Sequence, residues 1–132
     1  MGFEEIPHTA DWSVRVWADD LGGLFVESAR AMNTLAGVTT TPRTRVQRKF
    51  EFEGPDPESL LIAFLSELVY YQEQENLAFT RFDLRVLDQR VSVTMEGEQI
   101  ASVDKAIKAV TWHNLKIAQT GHGYEVEIVF DV

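Results

Sequence analysis

The apolar residues of this chain recur at two different periods, and the order of those periods limits the folds that the chain can adopt. Two segments place apolar residues three or four positions apart, which is typical of amphipathic helices, whereas the other apolar segments alternate, which is typical of half-buried strands. The order β-α-β-α-β-β-β-β lacks the regular strand–helix alternation of a parallel sheet. We therefore predict an α+β fold with two helices packed on one face of a mostly antiparallel sheet.

Both predicted helices begin at recognisable capping residues. Asp19 and Asp20 offer N-caps for the first helix, and Gly37 follows its predicted end. The second helix has Asp56 as its N-cap and Pro57 at its first position. Its wide apolar stripe consists of Leu60, Leu61, Phe64, Leu65, Leu68 and Val69. Such a stripe predicts that this helix is the main cover of the sheet.

The predicted strands are the segments 12–17, 45–52, 82–86, 91–95, 107–117 and 124–130. Asp88–Gln89 is the predicted hairpin turn between two of them, and the segment 107–117 is predicted to bend near His113–Asn114. The face of the sheet away from the helices is expected to be polar, with Arg85, Ser92, Thr94, Lys108, Glu125 and Glu127.

Composition indicates a globular protein without disulfides or thiolate metal sites. Of its 132 residues, 45% are hydrophobic and 25% are charged, and none is cysteine. No repeat or linker divides the sequence, so residues 1–132 are expected to form one domain. No apolar run reaches the ~18 residues of a membrane span, and the first residues lack the basic start of a signal peptide. We therefore expect a cytoplasmic protein that has no membrane partner.

The acidic balance argues against strong direct binding to nucleic acid. The chain has 12 Lys and Arg against 21 Asp and Glu, a net charge of −9. Binding to phosphates requires clustered basic residues. The basic cluster of this chain consists of Arg43, Arg45, Arg48 and Lys49. It is either the solvated face of a strand or a contact for a partner or RNA, whereas the acidic remainder suits a cation or a basic protein.

The sequence lacks the motifs of several common enzyme classes. It has no glycine-rich phosphate loop and no GxSxG, and none of its three histidines has the HExxH spacing. A nucleophilic or zinc-dependent hydrolase is therefore not indicated by any motif.

Two acidic residues near the ends of the sequence are candidate cation ligands. Asp11 closes the segment PHTAD before the first predicted strand, and Asp131 follows the last apolar position of the last strand. If these strands are neighbours, Asp11, Asp131 and the chain end at Val132 would present hard oxygens that suit Ca²⁺ or Mg²⁺ rather than zinc. The alternatives are a turn in which Asp11 bonds backbone amides, and a charged terminus at Asp131.

The segment KAVTWHNLKI, residues 108–117, is a third distinctive stretch. Its Trp112–His113 pair is either a binding edge or a partly buried aromatic beside a hydrogen-bonded imidazole. Taken together, HTAD at residues 8–11, KAVTWH at 108–113 and VFDV at 129–132 resemble the archease family. The two predicted helices fall where that family has its helices, so the resemblance covers essentially the whole chain.

The resemblance implies an accessory protein rather than an enzyme. Archease proteins activate the tRNA-splicing RNA ligase by promoting its guanylylation and multiple turnover. The resemblance further implies a divalent metal ion, calcium above all, with Mg²⁺ or Mn²⁺ as alternatives, held by Asp11, Asp131 and the main-chain oxygen of Val132. The runner-up function is a chaperone-like module that binds proteins without a ligase-specific role, and a third is a small metal-dependent hydrolase.

The chain departs from the family pattern at two places. The segment before KAVT is shorter than in the family, and Trp12-Ser13 stands where small or aliphatic residues often follow HTAD. His8 and His113 match motif positions, but their chemistry alone does not predict a role for either.

Overall fold

The computed structural model describes residues 1–6 and 12–132, with their side chains apart from those of residues 43 and 44. The helices in this part of the chain are α1 (Leu21–Ala36) and α2 (Pro57–Gln74). The strands are β1 (Gly2–Ile6), β2 (Trp12–Ala18), β3 (Thr39–Glu53), β4 (Leu77–Leu87), β5 (Arg90–Ser102), β6 (Ala109–Val110), β7 (Ala118–Thr120) and β8 (Gly123–Asp131).

The strands form two antiparallel sheets. The five-stranded sheet has the order β1-β2-β8-β6, with β7 also paired to β8, and the three-stranded sheet has the order β3-β5-β4. The three-stranded sheet is built from three consecutive strands, with β5 in the middle, whereas β2 pairs with β8 from the far end of the chain. The fold therefore places β2, the first strand predicted from alternation, beside β8, the last one.

Both helices contact strands of both sheets, so the core lies where the helices meet the two sheets. Three aromatic rings connect the two helices to the three-stranded sheet. The rings of Phe25 in α1 and Phe64 in α2 have centroids 6.1 Å apart, and Phe64 meets Phe82 of β4 edge to face at 5.7 Å. Contact with both sheets explains why α1 is buried around most of its circumference.

The predicted α+β class, with two helices and antiparallel strands, is confirmed. The capping residues are also confirmed, since Asp20 accepts a hydrogen bond from the Gly23 N–H and Asp56 accepts one from the Ser59 N–H. Gly37 follows α1 with a φ of 64°, which is the left-handed conformation of a helix C-cap. The structure adds that the strands divide between two sheets. The polar positions predicted for one open face consequently lie on both sheets, apart from Lys108, which directly precedes β6, and none of them is buried.

Two details of the strand prediction were wrong. The segment 107–117 is not one strand, because only β6 within it is paired, and a turn at residues 113 and 114 with φ of 54° at Asn114 interrupts it. Strands β1 and β7 were not predicted. Each is short and lies at a sheet edge, and the segment GFEEI of β1 has no apolar alternation.

Candidate metal centre

The pairing of β2 with β8 decides which residues meet at one end of the five-stranded sheet. The Cα partners are Ser13 with Val129 and Trp12 with Phe130. Asp131 follows Phe130 in the sequence, and Asp11 precedes Trp12. Asp11 itself lies outside the described residues, as does His8. Asp11 is bonded to Trp12, and Asp131 is bonded to Phe130, the cross-strand partner of Trp12. Each of these two peptide links separates consecutive Cα atoms by about 3.8 Å.

The Asp131 side chain is exposed, and within the described residues it forms no ion pair. Its main chain is fixed by β6, since Asp131 pairs with Ala109 and its carbonyl oxygen accepts a 2.8 Å hydrogen bond from the Lys108 N–H. Val132 is partly buried and packs against the core. The carboxylate of Asp131 therefore projects from a held backbone.

The outer face of the five-stranded sheet is open in the middle and covered at this end. In the middle, Arg15 pairs with Glu4 at 2.8 Å and with Glu125 at 3.1 Å, and all three side chains are substantially exposed. Two residues along β2 from Arg15, Ser13 and its cross-strand partner Val129 are 0% and 2% exposed, although they lie on the same outer face. The Ser13 Oγ has no hydrogen-bond partner within the described part of the chain.

The KAVTWH segment borders this end of the sheet through Thr111. The carbonyl oxygen of Val129 accepts hydrogen bonds of 3.0 Å from both the N–H and the hydroxyl of Thr111. The His113 N–H donates to the Thr111 Oγ1 at 3.3 Å, which starts the turn. Trp112 is 57% exposed and His113 is exposed, so the pair lies at the surface rather than in a buried site.

Sequence reasoning missed Thr111 and Glu58 as residues that shape this segment. Glu58, in the first turn of α2, accepts a 2.8 Å hydrogen bond from the Ile117 N–H. A threonine directly before a bend is a local signal, since its hydroxyl often bonds nearby backbone. The contact of Glu58 joins residues 59 positions apart and has no such local signal.

The basic cluster is divided between two faces of β3. Arg48 pairs with Glu75 at 3.3 Å and lies over the ring of Tyr71, whereas Arg45 and Lys49 lie on the opposite face. The Arg43 side chain lies outside the described part of the structure. The described cluster is thus not a continuous basic patch, and the weak affinity for nucleic acid stays a prediction.

The donors at the end of the five-stranded sheet are oxygens. Within residues 1–6 and 12–132, no three His, Asp or Glu side chains form a group that could hold a metal ion. The described residues contribute the Asp131 carboxylate and main-chain oxygens, which are ligands that Ca²⁺ and Mg²⁺ prefer.

No helix in the described part of the chain is long and apolar enough to cross a membrane.

Comparison with known proteins gives a consistent result. The family model described as the archease protein family matches residues 3–132. The chain is 30% identical over 145 residues to the protein archease of Methanopyrus kandleri, covering 100% of both chains. It is 32% identical over 138 residues to that of Saccharolobus islandicus, covering 98% of both.

Two solved structures share the fold. A crystal structure of an archease from Thermotoga maritima, described as a possible chaperone, superposes with a TM-score of 0.75 at 18% identity. That match covers 98% of this chain and 96% of the other. The solution structure of Methanobacterium thermoautotrophicum protein 1598 gives a TM-score of 0.72 at 22% identity and covers 99% of both chains. Both matches support the arrangement of helices and sheets described above.

Proposed function

Because this chain belongs to the archease family, we propose that it is a metal-binding accessory protein that activates an RNA ligase of the tRNA-splicing type in the cytoplasm. In this proposal it promotes guanylylation and multiple turnover of the ligase and is not itself an enzyme. The observation that carries the metal-binding part is the pairing of Trp12 with Phe130, because it joins the neighbours of two acidic residues from opposite ends of the sequence.

The donor set fits a hard cation. We assign the ligands as the carboxylates of Asp11 and Asp131 and the main-chain oxygen of Val132, with Ca²⁺ favoured and Mg²⁺ or Mn²⁺ as alternatives. Asp131 supports this assignment because its carboxylate is exposed and makes no ion pair with the described residues. Its neighbour Lys108 contributes a backbone hydrogen bond that fixes the strand.

The role of this chain's own residues is to hold positive charge at a fixed place on a protein surface. When bound, the cation would supply electrostatic stabilisation to phosphate groups at the ligase's nucleotide site. The pairing of β8 with β2 and β6 holds the backbone of Asp131, and the ligase supplies the nucleophile and the nucleotide pocket.

The test is guanylylation of a cognate RNA ligase with and without this protein. We expect the wild-type protein with Mg²⁺ or Mn²⁺ to accelerate guanylylation, and the Asp131→Asn variant to lose the acceleration while keeping its circular dichroism and melting temperature. Asp83→Asn is the matched control, since Asp83 is an exposed carboxylate on the other sheet and its replacement changes the net charge equally. Equal rates with and without the wild-type protein would refute the proposal.

A second candidate function is a chaperone-like module that binds unfolded proteins. Exposed aromatic side chains favour it, since Trp112 and Tyr70 are 57% and 51% exposed. Under this alternative, the protein suppresses the aggregation of an unrelated unfolded protein, and the Asp131→Asn variant does so equally well. Suppression that is absent in the wild-type protein would remove this candidate.

A further inference from the structure

The Ser13 hydroxyl is the one buried side-chain polar group in the described residues that has no hydrogen bond. Ser13 is 0% exposed, so bulk water does not reach it, and its Oγ has no partner among the described residues. A buried hydroxyl without a partner destabilises a fold, so such a group calls for a ligand or an ordered water. We propose that the Ser13 Oγ is an additional oxygen of the cation site and reaches the ion through one coordinated water. This inference rests on the proposed function.

The register places Ser13 on the side of the sheet from which Asp131 projects. Ser13 pairs with Val129, and Asp131 is two residues further along the same strand, so the two side chains share a face. Diagonal cross-strand neighbours have Cα atoms about 7–8 Å apart, which is too far for a direct hydrogen bond between two short side chains. An ion ligated by Asp131 at about 2.3–2.6 Å, with one water in its shell, fits between them.

The residues directly opposite Ser13 do not satisfy its hydroxyl. Its cross-strand partners are Ile6 on β1 and Val129 on β8, and both have apolar side chains. The row next to Ser13 on this face contains Glu4, Arg15 and Glu127, and Arg15 is paired with Glu4 and with Glu125 of the following row. The two diagonal neighbours of Ser13 on β8 are therefore the carboxylates of Glu127 and Asp131, and Asp131 is the one at the end of the sheet that carries the proposed site.

A second buried serine, Ser28, has a hydroxyl that is hydrogen-bonded within the protein. Ser28 on α1 is also 0% exposed, and its Oγ donates a 2.7 Å hydrogen bond to the carbonyl oxygen of Leu24. The two serines are equal in burial and differ in hydrogen bonding. Ser28 thus provides a matched control for Ser13.

The experiment is a calcium titration of the full chain by calorimetry, with the melting temperature of the metal-free protein as a second readout. We expect Ser13→Ala to bind Ca²⁺ about 10- to 100-fold more weakly, as substitutions of outer-sphere partners do. The metal-free Ser13→Ala protein should melt at or above the wild-type temperature, because it has lost an unbonded buried hydroxyl. Ser28→Ala should bind Ca²⁺ as the wild-type protein does.

The outcomes separate this inference from the proposed function. If the wild-type protein binds Ca²⁺, Asp131→Asn does not, and Ser13→Ala binds with wild-type affinity, the role of Ser13 is refuted and the metal site stands. A lower melting temperature of metal-free Ser13→Ala with unchanged affinity also refutes it, because the hydroxyl is then bonded within the protein. If the wild-type protein binds none of Ca²⁺, Mg²⁺ and Mn²⁺, the metal site and the role of Ser13 are both refuted, whereas ligase activation is decided by the guanylylation assay.

Discussion

Two glycines of this chain, Gly97 and Gly121, differ in what surrounds their backbone. Gly97 is buried in the middle of β5, and a Cβ at this position would meet the Ala78 carbonyl oxygen and the Phe79 ring on β4. Gly121 lies in the turn before β8, and a Cβ there would meet nothing within 4 Å. The need for glycine at residue 97 arises from the close approach of two strands rather than from a turn.

We predict that Gly97→Ala lowers the free energy of unfolding by about 1–3 kcal/mol or more, since the added methyl group meets backbone that cannot move aside without disturbing the β4–β5 pairing. Gly121→Ala is the control and should change stability by less than about 0.5 kcal/mol. Urea denaturation of the two variants measures both values. Equal midpoints for the two variants would contradict the prediction.

At the scale of single residues, the sequence predicts local contacts and misses distant ones. Asp20 and Asp56 were predicted as N-caps because a cap bonds an N–H three residues away. Asn33 on α1 was not singled out, yet its amide donates to the Phe79 carbonyl oxygen and accepts from Gln72. These partners are 46 and 39 residues away, so no local pattern indicates them.

At the scale of elements, the start of α2 links helix stability to pH. The Asp56 side chain accepts a 2.7 Å hydrogen bond from the Ser59 N–H, and this bond holds the pKa of Asp56 below its ordinary value. The folded state therefore favours the ionised carboxylate. The resulting stabilisation is present above the unfolded pKa of about 3.9 and is lost as the pH falls through the lower folded pKa.

We predict that Asp56→Ala melts at a lower temperature than the wild-type protein at pH 6 to 7, because α2 has lost its cap. The difference in melting temperature should shrink as the pH falls below about 4, where the wild-type carboxylate becomes protonated. Asp56→Asn is the control, because asparagine caps a helix and does not titrate. A difference between wild type and Asp56→Ala that stays constant from pH 7 to 2.5 would rule out this linkage.

Elements were predictable where one face of a segment is buried. The alternation of Val91, Val93 and Met95 correctly predicted β5, because all three side chains lie in the core. The segment 107–117 also reads as apolar, but its backbone bonds are divided between β8 and the Glu58 side chain, so it does not form one strand. Periodicity records which side chains are buried and does not record where the backbone hydrogen bonds go.

At the scale of the whole molecule, Phe64 connects both helices to the three-stranded sheet. Its side chain is fully buried, and its ring meets Phe25 of α1 and Phe82 of β4. We predict that Phe64→Ala lowers the free energy of unfolding by about 3–5 kcal/mol, because it leaves a cavity between three elements. Chemical denaturation measures this change.

Tyr70 provides the control for that substitution on the same helix. Its side chain is 51% exposed, so Tyr70→Ala removes an aromatic ring of similar size with little cavity formation. We expect Tyr70→Ala to lose much less stability than Phe64→Ala. Comparable losses would show that burial between the helices and the three-stranded sheet is not what makes Phe64 important.

The division into two sheets was the part of the fold that the sequence did not predict. Hairpin partners such as β4 and β5 are adjacent in the sequence, and their turn at Asp88–Gln89 was predicted correctly. The pairing of β2 with β8 joins strands that are about a hundred residues apart in the sequence, so no local pattern encodes it. The proposed metal site was placed by the family resemblance, and Asp11, one of its ligands, lies outside the described residues.

The pairing of β2 with β8 also has a consequence for protein synthesis. The three-stranded sheet lies wholly within residues 39–102, so it can assemble while later residues are still being added. Strand β2 must wait for β8, which is synthesised about a hundred residues later, and such distant pairings slow folding. Until then, the β2 edge that will meet β8 stays open to other nascent chains, and rapid synthesis of the intervening residues shortens this vulnerable interval.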